Sequence, residues 1–110
     1  MATTMADKVF SSDTVGTAEE TLYTGTAGDV IKIIFICNVT TSDATLQLWR
    51  VDNAGSSGDT NKILNSVTIP ANDFMQINTY MPLDVTGDFI RADCSVNNAV
   101  CVTLMGAAIT

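Results

Sequence analysis

Apolar residues recur at every second position through most of this chain, and that spacing is typical of β-strands. In the segment from Ala44 to Asp52, Leu46 and Leu48 alternate with Gln47 and Trp49. Further segments of this kind run over Leu22 to Thr24, Val30 to Thr40, Ile63 to Ile69, Phe74 to Met81, Phe89 to Val96 and Val100 to Ile109. No helical stripe of period 3.6 competes with them, so the sequence predicts an all-β fold.

Turn-forming residues separate these segments. They fall in TSDA (41–44), NAGSSGD (53–59), PAND (70–73), DVTG (84–87) and NN (97–98), and we interpret them as hairpin turns. About seven short strands with a turn signal every 8–12 residues are typical of a β-sandwich or small barrel. Because 110 residues suit one domain, we predict a single β-sandwich of jelly-roll or immunoglobulin-like type.

The segment from Val30 to Thr40 is apolar at both alternating sets of positions. Ile31, Ile33 and Phe35 belong to one set, whereas Ile34 and Ile36 belong to the other. A strand that is apolar on both faces is normally covered on both. We therefore expect a central strand that is buried in the core on each side, or that is covered on one side by a neighbouring subunit.

Residues 1–20 differ in composition from the rest of the chain. They are rich in Thr, Ser, Ala and Asp, and Val9 and Phe10 are their only pair of large apolar residues. Polar terminal segments of this kind often lack a fold of their own. The sequence therefore predicts an extended N-terminal arm over residues 1–20 and a β-sandwich domain over residues 21–110.

Charge and hydropathy argue against nucleic acid and membrane as partners. The chain has five Lys and Arg and twelve Asp and Glu, so its net charge is -7, and the cationic residues are scattered singly along the sequence. Nucleic-acid binding requires clustered cations, which the sequence lacks. The apolar run from Val30 to Val39 is interrupted by Lys32 and Asn38, and the first ten residues lack the pattern of a secretory signal. We expect the protein to act in the compartment where it is made.

The order Cys37, Trp49, Cys94 matches that of immunoglobulin domains, in which the tryptophan packs on a disulfide between the sheets. The tyrosine expected two residues before the second cysteine is replaced by Ala92, and Cys101 has no counterpart. Without a secretion signal, we interpret the three thiols as small apolar side chains.

Catalytic and metal-binding patterns are absent from the sequence. The chain has no histidine, which removes Ser-His and Cys-His nucleophile pairs and histidine metal sites. Asp52, Asn53, Asp59 and Asn61 flank the longest loop without the spacing of a calcium loop. We predict that the protein is not an enzyme and carries no cofactor or metal. Trp49, Tyr23 and Tyr80 could stack on a sugar, so a receptor- or glycan-binding module stays open as an alternative.

Several phrases of the sequence together resemble small structural proteins of tailed bacteriophages. The phrases are Leu22 to Thr24, Gly28, Asn38 to Thr40, Ile69 to Ala71 and Leu83 to Asp88, within a similarity that covers about residues 20–106. This resemblance implies a virion protein that serves as a head decoration (cement) protein, or alternatively as a tail, neck or fibre subunit.

Cement proteins bind where shell subunits meet, usually as trimers on threefold positions. We accordingly expect a homotrimer that binds the major capsid protein on the head surface and is made in the host cytoplasm. The arm would reach a neighbouring chain through Val9 and Phe10. The other candidate interface residues are Leu22, Tyr23, Ile34 and Ile36.

Overall fold

Strands make up nearly all of the regular structure in residues 5–109, the part of the chain described by the computed structural model. The eight strands are β1 (Met5–Thr14), β2 (Glu20–Thr24), β3 (Asp29–Asn38), β4 (Ala44–Val51), β5 (Lys62–Ile69), β6 (Phe74–Leu83), β7 (Phe89–Cys94) and β8 (Val100–Ile109). One 3₁₀ turn, Asp59–Asn61, precedes β5. The strands confirm the prediction of an all-β fold.

The strands form two four-stranded sheets, in the orders β1-β8-β3-β6 and β2-β7-β4-β5. Every pairing is antiparallel. The pairs β1·β8, β2·β7, β3·β6 and β4·β5 are those of one long hairpin that has been rolled up on itself. This is the arrangement of an eight-stranded jelly roll, whereas immunoglobulin sheets divide their strands differently. The β-sandwich prediction is confirmed, and the strand order selects the jelly roll.

The core lies between the two sheets and is built from alternate residues of the strands. In β7 the pattern is strict, with Ile90, Ala92 and Cys94 buried and the residues between them half-buried. Ile34 and Leu104 meet Leu48 and Ile90 within one apolar cluster that belongs to both sheets. Each fully buried aliphatic side chain contributes roughly 1.5–3 kcal/mol, so this cluster supplies the main driving force for the fold.

Residues 5–14, predicted as part of a free arm, form the edge strand β1. From Met5 to Thr14 this strand pairs with β8, and Val15, which follows it, is fully buried. Edge strands need few apolar residues, because backbone hydrogen bonds to one neighbour hold them in place. The polar composition that suggested an arm is therefore compatible with a strand. Residues 1–4 of the predicted arm, and residue 110 of the predicted domain, lie outside the described residues.

Only one of the predicted hairpin turns joins neighbouring strands of a sheet, namely the loop between β4 and β5. The other turn segments connect a strand of one sheet with a strand of the other. The same residues favour a tight turn in either case, because they accept the required backbone dihedral angles. Turn chemistry therefore located the loops correctly but did not reveal which strands they bring together.

Strand β3 changes the set of residues that it turns toward the core. Ile31 is fully buried, and so are Ile34 and Ile36, although Ile31 and Ile34 are three positions apart and would point to opposite faces of a regular strand. The pairing of β3 with both neighbours is irregular between Ile31 and Ile33. Such irregularities insert or remove a residue and thereby exchange the two faces of a strand. This exchange explains part of the double apolar pattern in the sequence.

Candidate assembly interface

Half-buried and exposed apolar side chains lie on the outside of the β1-β8-β3-β6 sheet. We call the apolar part of this surface the apolar outer face, and it comprises Ile33, Phe35, Cys37, Phe74, Cys101 and Met105. Along β3 and β8 these residues alternate with side chains that are fully buried in the core, such as Ile34 and Leu104. Since alternate residues of a strand point to opposite faces, the apolar outer face points away from the core. Thr103, Gln76 and Asn78, which lie opposite Phe35 or Ile33, point to the same side.

Two aromatic rings anchor one end of this face. Phe35 and Phe74 stack with their ring centroids 5.5 Å apart and their planes inclined by 16°. Phe74 nevertheless leaves 62% of its surface exposed. At the other end, Val9 of β1 lies opposite Met105 and is 57% exposed. Exposed apolar side chains that are connected by half-buried apolar ones into one patch are typical of an interaction site.

A shallow groove of about 390 Å³ runs along the β1 end of the same face. Its apolar lining comes from Val9, Ile33, Met105 and Gly106. Asp7, Lys8 and Lys32 also line it. The apolar outer face thus passes into a groove where charged groups of both signs are available to orient a partner.

The outside of the β2-β7-β4-β5 sheet has the opposite character. Gln47 donates a hydrogen bond to Asp93 at 2.9 Å and accepts one from Lys62 at 3.0 Å. Lys62 also covers Trp49, with its Nζ 5.4 Å from the ring centroid, so that only 6% of the tryptophan is exposed. This face resembles an ordinary solvated surface, and the contrast between the two faces identifies the apolar one as the candidate interface.

Of the predicted interface residues, only Val9 borders the apolar outer face. Phe10, Leu22 and Tyr23 are half-buried and pack against the core of their own chain. Ile34 and Ile36 are fully buried in that core, so their side chains offer no surface to a second subunit.

Their neighbours on β3 and β8, which the sequence analysis did not select, occupy the outer face. The sequence gives a weak indication that one of them, Phe35, points away from the core. Phe35 belongs to the alternating set opposite to that of Ile34, but both sets are apolar.

Tyr23 is engaged within its own chain. Its hydroxyl donates a 2.6 Å hydrogen bond to Oδ2 of Asp29, which is 2% exposed and also accepts from the backbone N–H of Thr26. Its ring lies 5.1 Å from that of Phe10. Burial, the hydrogen bond to Asp29 and the charge of Asp29 together raise the pKa of Tyr23 to about 12. The side chain therefore ties β2 to β3 and to β1.

Replacing Tyr23 with phenylalanine is expected to reduce the free energy of unfolding by about 1–2 kcal/mol at pH 8, because Asp29 loses a buried donor. The folded pKa lies above the unfolded value of 10.0, so this part of the stability is intact below pH 10 and is lost as the pH rises toward 12. Urea unfolding at pH 8 and at pH 11 checks this expectation. Equal pH dependence in wild type and Tyr23→Phe would contradict it.

The three cysteines have distinct places in the fold. Within residues 5–109 all three thiols are free. Cys94 is buried in the core, as expected of a small apolar residue, whereas Cys37 and Cys101 are half-buried and lie opposite each other on β3 and β8. The immunoglobulin-like pairing of Cys37 with Cys94 therefore has no counterpart in the structure.

The other candidate sites do not form in the described part of the chain. Within residues 5–109 no group of three or more His, Cys, Asp or Glu side chains could hold a metal ion. The three aromatics considered for sugar binding lie on β2, β4 and β6, and Trp49 is buried. Among the described residues there is no helix of the length and apolarity required to cross a membrane.

Comparison with known proteins gives a structural similarity at low sequence identity. No protein-family model and no curated protein matches the sequence. A chain in the structure of infectious bursal disease virus, Gx strain, is similar over 97% of this chain, with a TM-score of 0.46 and 11% sequence identity. This chain spans 32% of the length of that viral chain.

Proposed function

We propose that this protein is a non-enzymatic structural component of a bacteriophage virion, and specifically a head decoration protein that acts as a homotrimer. The observation that carries the proposal is the apolar outer face. It comprises six side chains of three adjacent strands, of which five are half-buried and Phe74 is exposed, so the protein's own fold covers them only in part. A surface of this kind favours burial against another protein.

The two outer faces suggest how such a trimer would be organised. The apolar outer face would meet other copies of the chain, and the polar face of the β2-β7-β4-β5 sheet would stay in solvent. Three weak contacts of one trimer with the major capsid protein act together, so each can be modest while the trimer stays bound. The decoration protein would then stabilise the shell because its contacts must break before neighbouring capsomers separate.

Replacing Phe35 with glutamate is expected to weaken self-association by about 30-fold or more, because a charge would enter the apolar contact. Folding should persist, since Phe35 lies outside the core cluster. The matched control is Thr68→Glu, which places the same charge at an exposed position on β5. Sedimentation velocity measures the oligomeric state, and circular dichroism verifies the fold. Unchanged association of Phe35→Glu would remove the apolar outer face from the proposal.

The position in the virion is tested by copy number. A decoration protein on threefold positions should be present at about one copy, or about one-third of a copy, per major capsid protein. Quantifying both bands from purified particles measures this ratio. A handful of copies in multiples of three or six would instead place the chain in the tail or neck, which is the second candidate function.

A further inference from the structure

We propose that two copies of this chain pair through their β6 edges. The two strands would run antiparallel about a twofold axis at Ile77 and join two four-stranded sheets into one sheet of eight strands. This contact uses the edge of the sheet and shares only Phe74 with the apolar outer face. It requires only a second copy of the chain and does not depend on the proposed function.

The first observation is that β6 carries none of the charged residues found on the other edge strands. The sheets end at β1, β6, β2 and β5. Each of the other three carries charged residues and has an irregular register: β1 holds Lys8, β2 begins with Glu20, and β5 begins with Lys62. Charges and bulges on edge strands prevent pairing with other chains. Strand β6, with the sequence FMQINTYMPL, has no charged residue over its ten positions. Its own register irregularity, at Thr79 and Tyr80, and Pro82 lie beyond Asn78, so the segment from Phe74 to Asn78 is regular.

The second observation concerns the backbone groups that β6 leaves free. The backbone N–H of Asn38 donates to the carbonyl of Asp73 at 2.9 Å, so Asp73 faces β3. The ladder then continues regularly from Cys37 opposite Phe74 to Ile33 opposite Asn78. Because successive residues direct their backbone groups to opposite edges, those of Gln76 and Asn78 point away from β3. These are the groups that a second strand can bind.

The third observation is that this stretch is chemically symmetric about Ile77. In an antiparallel pair centred there, Gln76 lies opposite Asn78 of the other copy, and Phe74 lies opposite Tyr80. Amide side chains thus meet amide side chains, and aromatic rings meet aromatic rings. Phe74 and Tyr80 are 62% and 73% exposed, the highest values among the exposed large apolar side chains of residues 5–109. Cross-strand pairs of these types stabilise sheets, and a twofold contact requires such self-complementarity.

Net charge restricts where two identical copies can approach each other. Each chain carries a net charge of -7, so most approaches bring like charges together. The β6 edge is a neutral strip, where repulsion between copies is smallest. In this register the hydrogen-bonding groups of Gln76 and Asn78 also face each other, so charge and backbone geometry favour the same pairing.

Two double variants test the register directly. In Gln76→Lys/Asn78→Lys, introduced lysines lie opposite each other across the twofold axis, and association is expected to weaken by about tenfold or more. In Gln76→Lys/Asn78→Asp, each introduced lysine lies opposite an introduced aspartate, and association is expected to recover. Thr68→Lys, at an exposed position on the β5 edge, is the matched control. Sedimentation velocity and native mass spectrometry of the full chain measure the even-numbered species.

If the lysine–aspartate variant recovers association, the loss of association in the lysine–lysine variant is not caused by misfolding. The proposal is overturned if the wild type forms no even-numbered species at hundreds of micromolar protein, or if the lysine–lysine variant associates as well as the wild type. If Gln76→Lys/Asn78→Asp is folded but associates as weakly as Gln76→Lys/Asn78→Lys, the register centred on Ile77 is overturned. Trimers that depend on Phe35 but not on β6 would leave the proposed function standing without this contact.

Discussion

The variant Asp88→Asn is expected to lose about 2–4 kcal/mol of unfolding free energy, because three donors converge on a buried carboxylate. Asp88 is 1% exposed. Its Oδ1 accepts the backbone N–H of Asn53 at 2.9 Å, and its Oδ2 accepts the backbone N–H of Val85 and Nη2 of Arg50, both at 3.1 Å. An amide presents a donor where a carboxylate oxygen stood, so at least one of these donors would lose its acceptor.

A matched control is available on the same arginine. Asp52 lies 2.9 Å from Nη1 of Arg50, but its side chain is 83% exposed. An exposed ion pair contributes about 1 kcal/mol or less, so Asp52→Asn should leave the unfolding free energy almost unchanged. Chemical denaturation of both variants at pH 7 compares them. Equal losses in the two variants would show that burial of Asp88 does not determine the cost.

The same carboxylate should make the protein sensitive to acid. Burial alone would raise the pKa of Asp88, but the hydrogen bonds from Asn53 and Val85 and the charge of Arg50 outweigh it and lower the pKa below 3.8. A lowered folded pKa contributes stability above the unfolded value, and that contribution is lost as the pH falls through the folded value. The wild type should therefore lose stability more steeply than Asp88→Asn below about pH 4.

Much of this fold could be predicted from local sequence, because strand alternation and turn chemistry are local properties. The predicted segment Val100 to Ile109 is β8 with the same bounds, and the segment Ala44 to Asp52 is β4 with one residue fewer at its end. Strand β1 was missed because an edge strand depends on hydrogen bonds to β8, which lies about ninety residues away in the chain. The strand order, which distinguishes a jelly roll from an immunoglobulin sandwich, depends on contacts of the same long range.

The candidate interface was harder to predict for a related reason. The sequence showed that Val30 to Thr40 has two apolar faces, and the chain itself covers one of them only in part. Which face is uncovered depends on the irregularity between Ile31 and Ile33, where both neighbouring strands shift register. The sequence analysis therefore selected Ile34 and Ile36 as interface candidates, whereas Ile33 and Phe35 are the residues that point away from the core. Alternation along one strand cannot reveal a change that its neighbours impose.

A close backbone approach between the strands β3 and β8 gives the second large expected effect. Gly106 of β8 lies opposite Ile31, and a Cβ added to it would overlap the carbonyl oxygen of Val30. That oxygen belongs to the backbone of β3, which is held between β8 and β6 and cannot rotate away as a side chain could. We expect Gly106→Ala to reduce the free energy of unfolding by about 3 kcal/mol or more, since β3 or β8 must move.

Gly58→Ala is the matched control for this substitution. Gly58 lies in the loop before β5, its backbone is extended with φ near -166°, and nothing lies within 4 Å of the position that a Cβ would take. Alanine there should leave stability unchanged or raise it by about 0.4–1 kcal/mol, because the unfolded chain loses freedom. Thermal and urea unfolding of the two variants should therefore shift in opposite directions or differ severalfold in size. A loss below about 1 kcal/mol for Gly106→Ala would mean that the β3–β8 pairing yields locally, and the irregularity at Ile31 would then be an adjustable part of the sheet.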